Sequence, residues 1–283
     1  MVSELCKLAG VSRSGYYDWL DAEEARAVRE EKDLKDYHLI QAVFDSKRGR
    51  AGAKTVKMIL ENNYDVIMNL KKIHRIMNKF SLIAKIRRPN PYKRIAKATQ
   101  EHKTLPNLLK RQFDQGEPGK VLLTDITYLY YGNGNPAYLS AIKDGATREI
   151  LAYELSQTLK FDIVFNTLST LKENMNETLH SECIIHSDQG LHYTHPEYLK
   201  RVKVMGLTQS MSRKGNCWDN APIESFFGHL KDEVDFRSCN TFEELTDLIG
   251  EYMYEYNEHR YQWNLQKMAP KEFRNHLLAT INQ

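Results

Sequence analysis

The chain has 283 residues, of which 41% are hydrophobic and 27% charged, a balance typical of soluble globular proteins that argues against wholesale disorder. At about 150 residues per domain, this length predicts two domains. No stretch approaches 18 consecutive apolar residues, so no membrane span is expected. The first ten residues, MVSELCKLAG, lack the pattern of a signal peptide. The four cysteines form no CxxC pair, which argues against a cysteine zinc cage and favours a cytoplasmic location.

Charge is distributed unevenly along the chain. Residues 1–118 carry 24 Lys and Arg against 15 Asp and Glu, whereas residues 119–283 carry 16 against 22. A basic front half predicts a nucleic-acid-binding module, and the acidic back half predicts a domain of a different kind. The alternative is a chance imbalance on a solvated surface.

The segment 3–20 has the pattern of a helix-turn-helix unit, which inserts its second helix into the major groove of DNA. Gly10 suits the turn, and Ser12 or Ser14 can cap the second helix. Leu5, Leu8 and Ala9 recur at helical spacing in the first helix, and the second helix is expected to turn Tyr16, Trp19 and Leu20 inward. Any helical hairpin gives a similar pattern. Residues 21–36 are predicted to be a polar helical connector.

A second group of helices follows the connector. Apolar residues mark one helix around 39–44 and another around 56–60, separated by the break at 49–52. A third helix, capped by Asn69, is predicted to run to Phe80 with an apolar stripe on one face. Its other face carries only cations, as a DNA recognition helix does: Lys71, Lys72, Arg75 and Lys79.

The run from Lys71 to Lys97 contains ten Lys and Arg residues and no acid. Pro89 and Pro91 forbid a continuous helix near its end, so this part is expected to follow DNA phosphates in an extended form through Arg87 and Arg88. A solvated basic linker is the alternative. The predicted domains are a helix-turn-helix-like segment at 1–24, a basic helical DNA-binding domain at 25–98, a linker at 99–118 and a catalytic domain at 119–283 with a C-terminal helix.

From residue 119 onward, the pattern predicts an α/β domain with a mixed sheet. VLLTDITYLYY (121–131) is nearly continuous in apolar character, as expected for a central strand buried on both faces. Two further strands, a helix, a strand, a helix, a strand and a helix follow. The last of these helices, 220–234, is predicted to be capped by Asn220. A further helix over 241–260 has an apolar stripe, which predicts packing on the core or, alternatively, a subunit contact.

Three acids stand at informative positions. Asp125 interrupts the apolar first strand, Asp188 follows the end of a strand, and Glu224 lies in the first turns of the 220–234 helix. Carboxylates brought together repel one another, and divalent cations relieve that repulsion because they prefer oxygen ligands. Two such ions can support in-line phosphoryl transfer. Taken singly, each acid has an innocent interpretation as a hydrogen-bonding, turn-forming or helix-start residue.

The sequence around these acids resembles the bacterial insertion-sequence transposases of the insertion-sequence-three family, within the DDE transposase and retroviral integrase superfamily. The resemblance rests on TDITYL, HSDQGLHYT and SMSRKGNCWDNAPIESFFGHLKDE, and on the 35 residues between Asp188 and Glu224. It extends to LCKLAGVSRSGYYDWL near the start and YMYEYNEHRYQWNLQKMAPKEF near the end. It therefore covers nearly the whole chain.

The resemblance implies a ribonuclease-H-like mixed-sheet catalytic core preceded by an all-α DNA-binding region. It implies Mg²⁺, or Mn²⁺, held by a catalytic triad of Asp125, Asp188 and Glu224, with Lys231 as a DNA-contacting cation. The expected activity is DNA strand cleavage at element ends and 3′-hydroxyl strand transfer. The expected partners are double-stranded terminal-repeat and target DNA, other copies of the chain on that DNA, and the product of an upstream reading frame, at a nucleoid location.

Two other functions remain open on the sequence alone. A ribonuclease-H-like nuclease would share the three acids without any joining activity. A domesticated, non-catalytic DNA-binding protein would use only the basic front half. Three nearby histidines, His186, His192 and His195, could suggest zinc, but no fourth ligand stands at an ordinary spacing.

Overall fold

The computed structural model describes residues 2–85, 105–175, 179–213 and 217–281. The chain divides into two compact units, residues 1–86 and 87–283, and each is considered by itself. Among the described helices, none combines the length and the apolar character needed to cross a bilayer.

The first unit is built from helices around a small apolar core. Its elements are α1 (Val2–Leu8), α2 (Arg13–Asp21), α3 (Glu23–Ser46), α4 (Ala53–Tyr64) and α5 (Leu70–Lys79). The core joins α3, α4 and α5 through side chains that are at most 1% exposed: Ile40, Val43, Val56, Leu60, Ile73 and Ile76. The apolar stripe predicted for α5 is therefore the face that builds this unit.

The hairpin at the start of the chain agrees with the sequence in its turn and differs in its packing. Gly10 has the expected left-handed backbone, with φ of +67°, and the Ser12 side chain caps α2 by accepting from the Gly15 amide. The expectation that Trp19 faces inward is wrong, because its side chain is 58% exposed. Leu5, Leu8 and Ala9 of α1 are exposed as well. Helices of seven and nine residues offer too little apolar surface for a core of their own. The Trp19 ring instead lies beneath the Arg26 guanidinium, 4.1 Å away.

The predicted connector and the helix after it form one continuous helix, α3, of 24 residues. Its first half is polar, so apolar periodicity detects only the second half. The α5 helix begins after Asn69, whose side chain accepts from the Lys71 amide as expected, and it ends at Lys79, one residue before the predicted end.

The second unit is an α/β domain around a five-stranded sheet with strand order β3-β2-β1-β4-β5. The strands β1, β2 and β3 form an antiparallel meander, and β4 and β5 run parallel to β1. This is the expected mixed sheet with β1 at its centre. The elements are β1 (Val121–Tyr131), β2 (Asn135–Asp144), β3 (Ile150–Ser156), α6 (Asp162–Met175), β4 (Ile184–Ser187), α7 (Leu191–Thr194), α8 (Pro196–Val204), β5 (Thr208–Met211), α9 (Ala221–Glu233), α10 (Phe242–Glu258) and α11 (Pro270–Ile281).

Alternate residues of β1 supply two apolar cores on opposite faces of the sheet. Val121 and Leu123 pack with α9 and α10, whereas Leu122 packs with the α6 and α8 side. The α10 stripe joins the first core through Leu245 and Ile249, which confirms core packing as the role of that stripe. The prediction that β1 is buried on both faces is wrong for its outer half, where Tyr128 and Tyr130 are about half exposed. Strand β4 pairs with β1 only along residues 121–123 and therefore does not cover this half.

Three features of this unit differ from the sequence prediction. The short helix α7 and the final helix α11 are additional elements. Asn220 makes no capping hydrogen bond to α9; its side-chain amide donates instead to the Thr124 carbonyl of β1, 3.2 Å away. The Asn220 side chain thus binds a carbonyl 96 residues away in the sequence, where the capping rule expects it to bind an amide in the first turn of its own helix.

Candidate active site

Asp125 lies in β1, and Asp188 directly follows β4, the parallel neighbour of β1 at the centre of the sheet. Parallel pairing joins Leu123 of β1 to His186 of β4, and two further residues along each chain bring Asp125 level with Asp188. Neighbouring strands are separated by about 4.8 Å, so the two acids stand on adjacent backbones. The sheet thus brings together two residues that are 63 positions apart in the sequence.

Backbone amides orient both carboxylates. Asp125 Oδ1 accepts from the Ile126 amide at 2.8 Å, and Asp188 Oδ1 accepts from the Gly190 amide at the same distance. Gly190 is needed at this turn, because a Cβ there would lie 2.8 Å from Asp188 Oδ1. Both aspartates are half-buried, so they are accessible from one side while held from the other.

A buried tyrosine reports that the two aspartates converge. Tyr193 of α7 is 2% exposed, and its hydroxyl lies 3.5 Å from Thr124 Oγ1, beside Asp125. Burial raises the pKa of the Tyr193 phenol well above its usual value, and the negative charges of Asp125 and Asp188 raise it further. One side chain therefore senses both carboxylates and stays a neutral phenol between them.

Glu224 is presented by the first turn of α9, which is tied to the sheet at two points. The Asn220 amide binds the Thr124 carbonyl of β1, and Lys143 Nζ of β2 donates to the Pro222 carbonyl at 3.0 Å. The opposite face of α9 is buried through Ile223, Phe226, Phe227 and Leu230, which leaves Glu224 half-buried on the outer face as predicted. These contacts fix the start of α9 beside the strand that carries Asp125.

Asp219 is a structural acid at this site that sequence reasoning did not single out. Its carboxylate is fully buried and accepts from the side chains of Arg213, Arg111 and Asn107 at 2.8–3.0 Å. Hydrogen bonds from Arg213, and then from Arg111, hold the pKa of Asp219 well below its usual range. Asp219 thus joins three segments just before α9. Its only sequence signal was its place in the motif that contains Glu224.

The three histidines near Asp188 have separate structural roles. His186 is fully buried on β4 with Nδ1 2.9 Å from Ser210 Oγ of β5, and burial lowers its pKa. His195 caps α8 by accepting from the Glu197 amide, while His192 Nε2 lies 3.3 Å from the Leu159 carbonyl. These contacts agree with a structural interpretation of His186.

The acids do not form a ready-made metal cage. Across the described ranges, no three His, Cys, Asp or Glu side chains are arranged to hold an ion. The backbone brings the two aspartates together and places the start of α9 beside β1, and the chemistry of all three groups is that of oxygen donors suited to a hard divalent cation.

The cations predicted to contact DNA from α5 are largely engaged within their own unit. Arg75 makes two hydrogen bonds of 2.6 Å to Asp33, which is only 3% exposed, and Lys79 also binds this carboxylate. Lys72 of α5 forms an ion pair with Asp36, which lies one turn beyond Asp33 in α3. Hydrogen bonds from Arg75 and Lys79 hold the pKa of Asp33 well below its usual range. The polar half of α3 thus lies against the cationic face of α5, and Lys71 is exposed beside it.

The remaining predicted DNA contacts divide into two cases. Lys231 is half-buried on α9, two turns beyond Glu224. Arg87 and Arg88, with the basic segment around them that was predicted to follow DNA phosphates, lie outside the described residues.

Comparison with protein-family models identifies the two units. Models of the integrase core domain match residues 115–217 and 205–270, which include all three acids. A model of an HTH-like domain matches residues 30–90, and therefore covers α3, α4 and α5 rather than the hairpin at 3–20.

Among solved structures, similarity is reported to the simian T-cell lymphotropic virus intasome in complex with PP2A regulatory subunit B56 gamma. The identity is 12% and the TM-score 0.44, over 79% of this chain and 70% of that one. The catalytic core domain of BIV integrase is 14% identical with a TM-score of 0.41, over 58% of this chain and 99% of that one.

Curated relatives match almost the whole chain. The putative transposase InsK for insertion sequence element IS150 of Escherichia coli is 34% identical over 277 residues, which covers 97% of this chain and 93% of the relative. The transposase for insertion sequence element IS904 of Lactococcus lactis is 33% identical, over 83% of this chain and 91% of the relative. Together with the integrase core match, these relatives show that the chain belongs to the bacterial insertion-sequence transposases of the insertion-sequence-three family, in the DDE transposase and integrase superfamily.

Proposed function

We propose that this chain is a DNA transposase that cleaves strands at the ends of an insertion element and joins the resulting 3′-hydroxyls to new DNA. The observation that carries the proposal is that Asp125 lies in β1, Asp188 directly follows the neighbouring parallel strand β4, and the helix that presents Glu224 is tied to β1, all within the integrase core matches. This is the arrangement of carboxylates that phosphoryl transfer between nucleic-acid strands requires.

Membership of the integrase core family implies dependence on a divalent metal. We propose Mg²⁺, with Mn²⁺ as a substitute, and Asp125, Asp188 and Glu224 as the residues that would hold it. The donor set fits, since all three supply carboxylate oxygens. When bound, the metal supplies activation of the attacking oxygen and stabilisation of the leaving oxygen.

The residues of the chain position the reacting groups. The amides of Ile126 and Gly190 hold the two aspartates in fixed orientations, while Asn220 and Lys143 hold the first turn of α9. In the first reaction water attacks a phosphodiester, a P–O bond forms, and the bond to the 3′-oxygen breaks to give a 3′-hydroxyl. In the second, that hydroxyl attacks another phosphodiester, and one P–O bond replaces another. No protein side chain becomes covalently attached to DNA.

The HTH-like match supports DNA binding by the first unit. We propose that this unit binds the terminal repeats through Lys71, and that the basic segment after it, which contains Arg87 and Arg88, contacts the same DNA. Partial dissociation of the pairs that Lys72, Arg75 and Lys79 form with α3 would add these cations to the interface. Joining two element ends requires two active sites, so we propose that copies of the chain assemble on DNA at the nucleoid, with an upstream-frame product as a further partner.

A direct assay separates this function from its alternatives. Purified chain is incubated with labelled terminal-repeat DNA and target DNA, with and without Mg²⁺, and the products are resolved on a denaturing gel. A transposase gives both shortened strands and longer, joined strands only when the metal is present. Shortened strands alone would identify a nuclease, a footprint without cleavage would identify a DNA-binding protein, and a covalent protein–DNA adduct would exclude the proposed chemistry.

A further inference from the structure

A groove runs along the outer half of β1, beyond Asp125. It has a volume of about 420 Å³ and is bounded on its far side by the end of α9 and the turn that follows. Its lining residues are Tyr128, Leu129, Tyr130, Lys231, Val234 and the turn 235–237. We call it the edge groove.

The edge groove exists because the sheet is incomplete on this side. Strand β4 pairs with β1 only as far as Leu123, so within the described residues the outer half of β1 has no strand neighbour there. Tyr128 and Tyr130 lie on this outer half and are 49% and 58% exposed. Tyr128 is fixed by an edge-to-face contact with Tyr138 of β2, with ring centroids 5.2 Å apart, so one of its sides is supported by protein.

The chemistry of the edge groove suits a nucleic-acid strand. Exposed tyrosine rings stack with bases of any sequence, and cations bind the phosphates between them. Lys231 and Arg237 supply two cations against the single acid Asp235. The volume lies in the range of pockets for small ligands, which suits one or two nucleotides.

The location of the edge groove connects it to the catalytic residues. Tyr128 follows Asp125 by three residues on the same strand, and Lys231 follows Glu224 by seven on the same helix. The groove thus follows the same strand and the same helix that carry two of the proposed catalytic acids, about 10 Å beyond them along each element. Bases left unpaired at the end of a DNA strand need a surface on which to stack, and exposed tyrosines provide one.

We propose that the edge groove binds the unpaired nucleotides next to the cleaved phosphate, with bases stacked on Tyr128 and Tyr130 and phosphates held by Lys231 and Arg237. This inference rests on the proposed function, and it assigns to the β1 edge the role of holding the opened end of the DNA strand.

The test measures binding of the full chain to two terminal DNAs, one fully paired and one with three unpaired nucleotides at the end, in the absence of metal so that no cleavage occurs. Tyr130→Ala is expected to weaken binding to the opened DNA about tenfold and to leave binding to the paired DNA unchanged. Tyr130→Phe keeps the stacking face and should bind as the unchanged chain does. Tyr254→Ala removes a tyrosine of α10 that is 60% exposed and lines no part of the groove, so it serves as the matched control.

Equal loss on both DNAs, or no loss on either, would overturn the inference. A change in oligomeric state of Tyr130→Ala without DNA would overturn it as well, because it would assign the edge to a second copy of the chain. Failure of the proposed function is distinguishable, since it removes cleavage and joining while the preference for opened DNA, measured without metal, does not depend on them.

Discussion

Single backbone amides orient the two aspartates, so the site is sensitive to small changes around them. Asp188 shares its turn with Gly190, where there is no space for a Cβ. Asp125 bonds the amide of the next residue along a strand whose neighbours on both sides are fixed by pairing. The positions of these groups follow from backbone geometry, and the catalytic role of each remains a prediction.

The substitution Gly190→Ala is expected to lower strand cleavage about 100-fold with little effect on the fold, because the added Cβ displaces the Asp188 carboxylate by a fraction of an ångström to an ångström. Gly250→Ala is the matched control, since its Cβ would meet only the Tyr153 hydroxyl at an ordinary 3.7 Å. Cleavage rates on terminal DNA and thermal unfolding measure the two effects. Wild-type cleavage by Gly190→Ala would contradict the importance of this turn.

The cations of α5 differ in what they stabilise. Arg75 neutralises Asp33, a buried carboxylate, so Arg75→Met is expected to lower the midpoint of thermal unfolding and to weaken DNA binding together with it. Lys71 is exposed, so Lys71→Met is expected to weaken DNA binding severalfold and to leave the unfolding midpoint unchanged. If Arg75→Met and Lys71→Met changed the unfolding midpoint and the DNA affinity by the same amounts, the distinction between a stabilising and a DNA-binding cation would be contradicted.

At the scale of secondary-structure elements, α9 is held against β2 by a buried lysine. Lys143 is 5% exposed, and it lies 5.9 Å from the Phe226 ring and 6.0 Å from the Tyr256 ring. Burial, and then the positive charges of Arg148 and Arg260, lowers the pKa of Lys143 to about 7. In the unfolded chain the pKa returns to about 10.4.

This difference in pKa predicts a specific pH dependence of stability. Between pH 7 and about 10 the unfolded chain binds a proton that the folded chain has lost, so the contribution of Lys143 to the free energy of unfolding rises with pH in that window. Urea unfolding at pH 7 and pH 9 measures this rise. Lys143→Met is expected to reduce it, whereas Lys172→Met, at an exposed position of α6, should not. An unchanged rise in Lys143→Met would contradict the assignment.

The elements of the α/β unit could be predicted where local patterns dominate. The continuous apolar run over 121–131 predicted the strand β1 with the bounds that the structure has. The helix α9 was predicted within one residue at each end, because it has an uninterrupted apolar face. Asp125, Asp188 and Glu224 were selected through their surroundings in the sequence, and the sheet register then brought the two aspartates together.

Other features depend on tertiary partners and could not be read from spacing. The charges of α5 pair with acids of α3 that are more than 40 residues away, so the sequence shows a cationic face while the structure shows a largely neutralised one. The Asn220 side chain, an ideal cap by local rules, binds β1 instead. Exposure of Leu8 and Trp19 reflects how few apolar residues two short helices contribute.

At the scale of the whole molecule, the division of charge matches the division of tasks that we propose. Residues 1–118 carry the excess of positive charge and contain the HTH-like match, and the acidic remainder contains the integrase core. The chain thus combines a part suited to attract DNA with a part suited to process it.

This charge division predicts a strong dependence of DNA binding on salt. The affinity for terminal DNA is expected to fall linearly on a log–log plot against salt concentration, with a slope of about −0.9 for each phosphate that the protein neutralises. Fluorescence anisotropy at several salt concentrations gives this slope for the full chain, and Lys71→Met should make it about one unit less negative. An affinity that does not vary with salt would contradict DNA binding through the basic half.

The central claim is that three carboxylates act as one catalytic unit, and strand transfer by single variants tests it most directly. Asp125→Asn, Asp188→Asn and Glu224→Gln are each expected to abolish cleavage and joining of terminal DNA in Mg²⁺ while DNA affinity stays unchanged, and a double variant should be no worse than a single one. Two control variants should retain full activity. In Asp114→Asn the original carboxylate accepts from the Gly116 amide, as Asp188 does from Gly190, and in Glu243→Gln the original acid lies in the first turn of α10, as Glu224 does in α9. Undiminished strand transfer by any of the three variants would contradict the account.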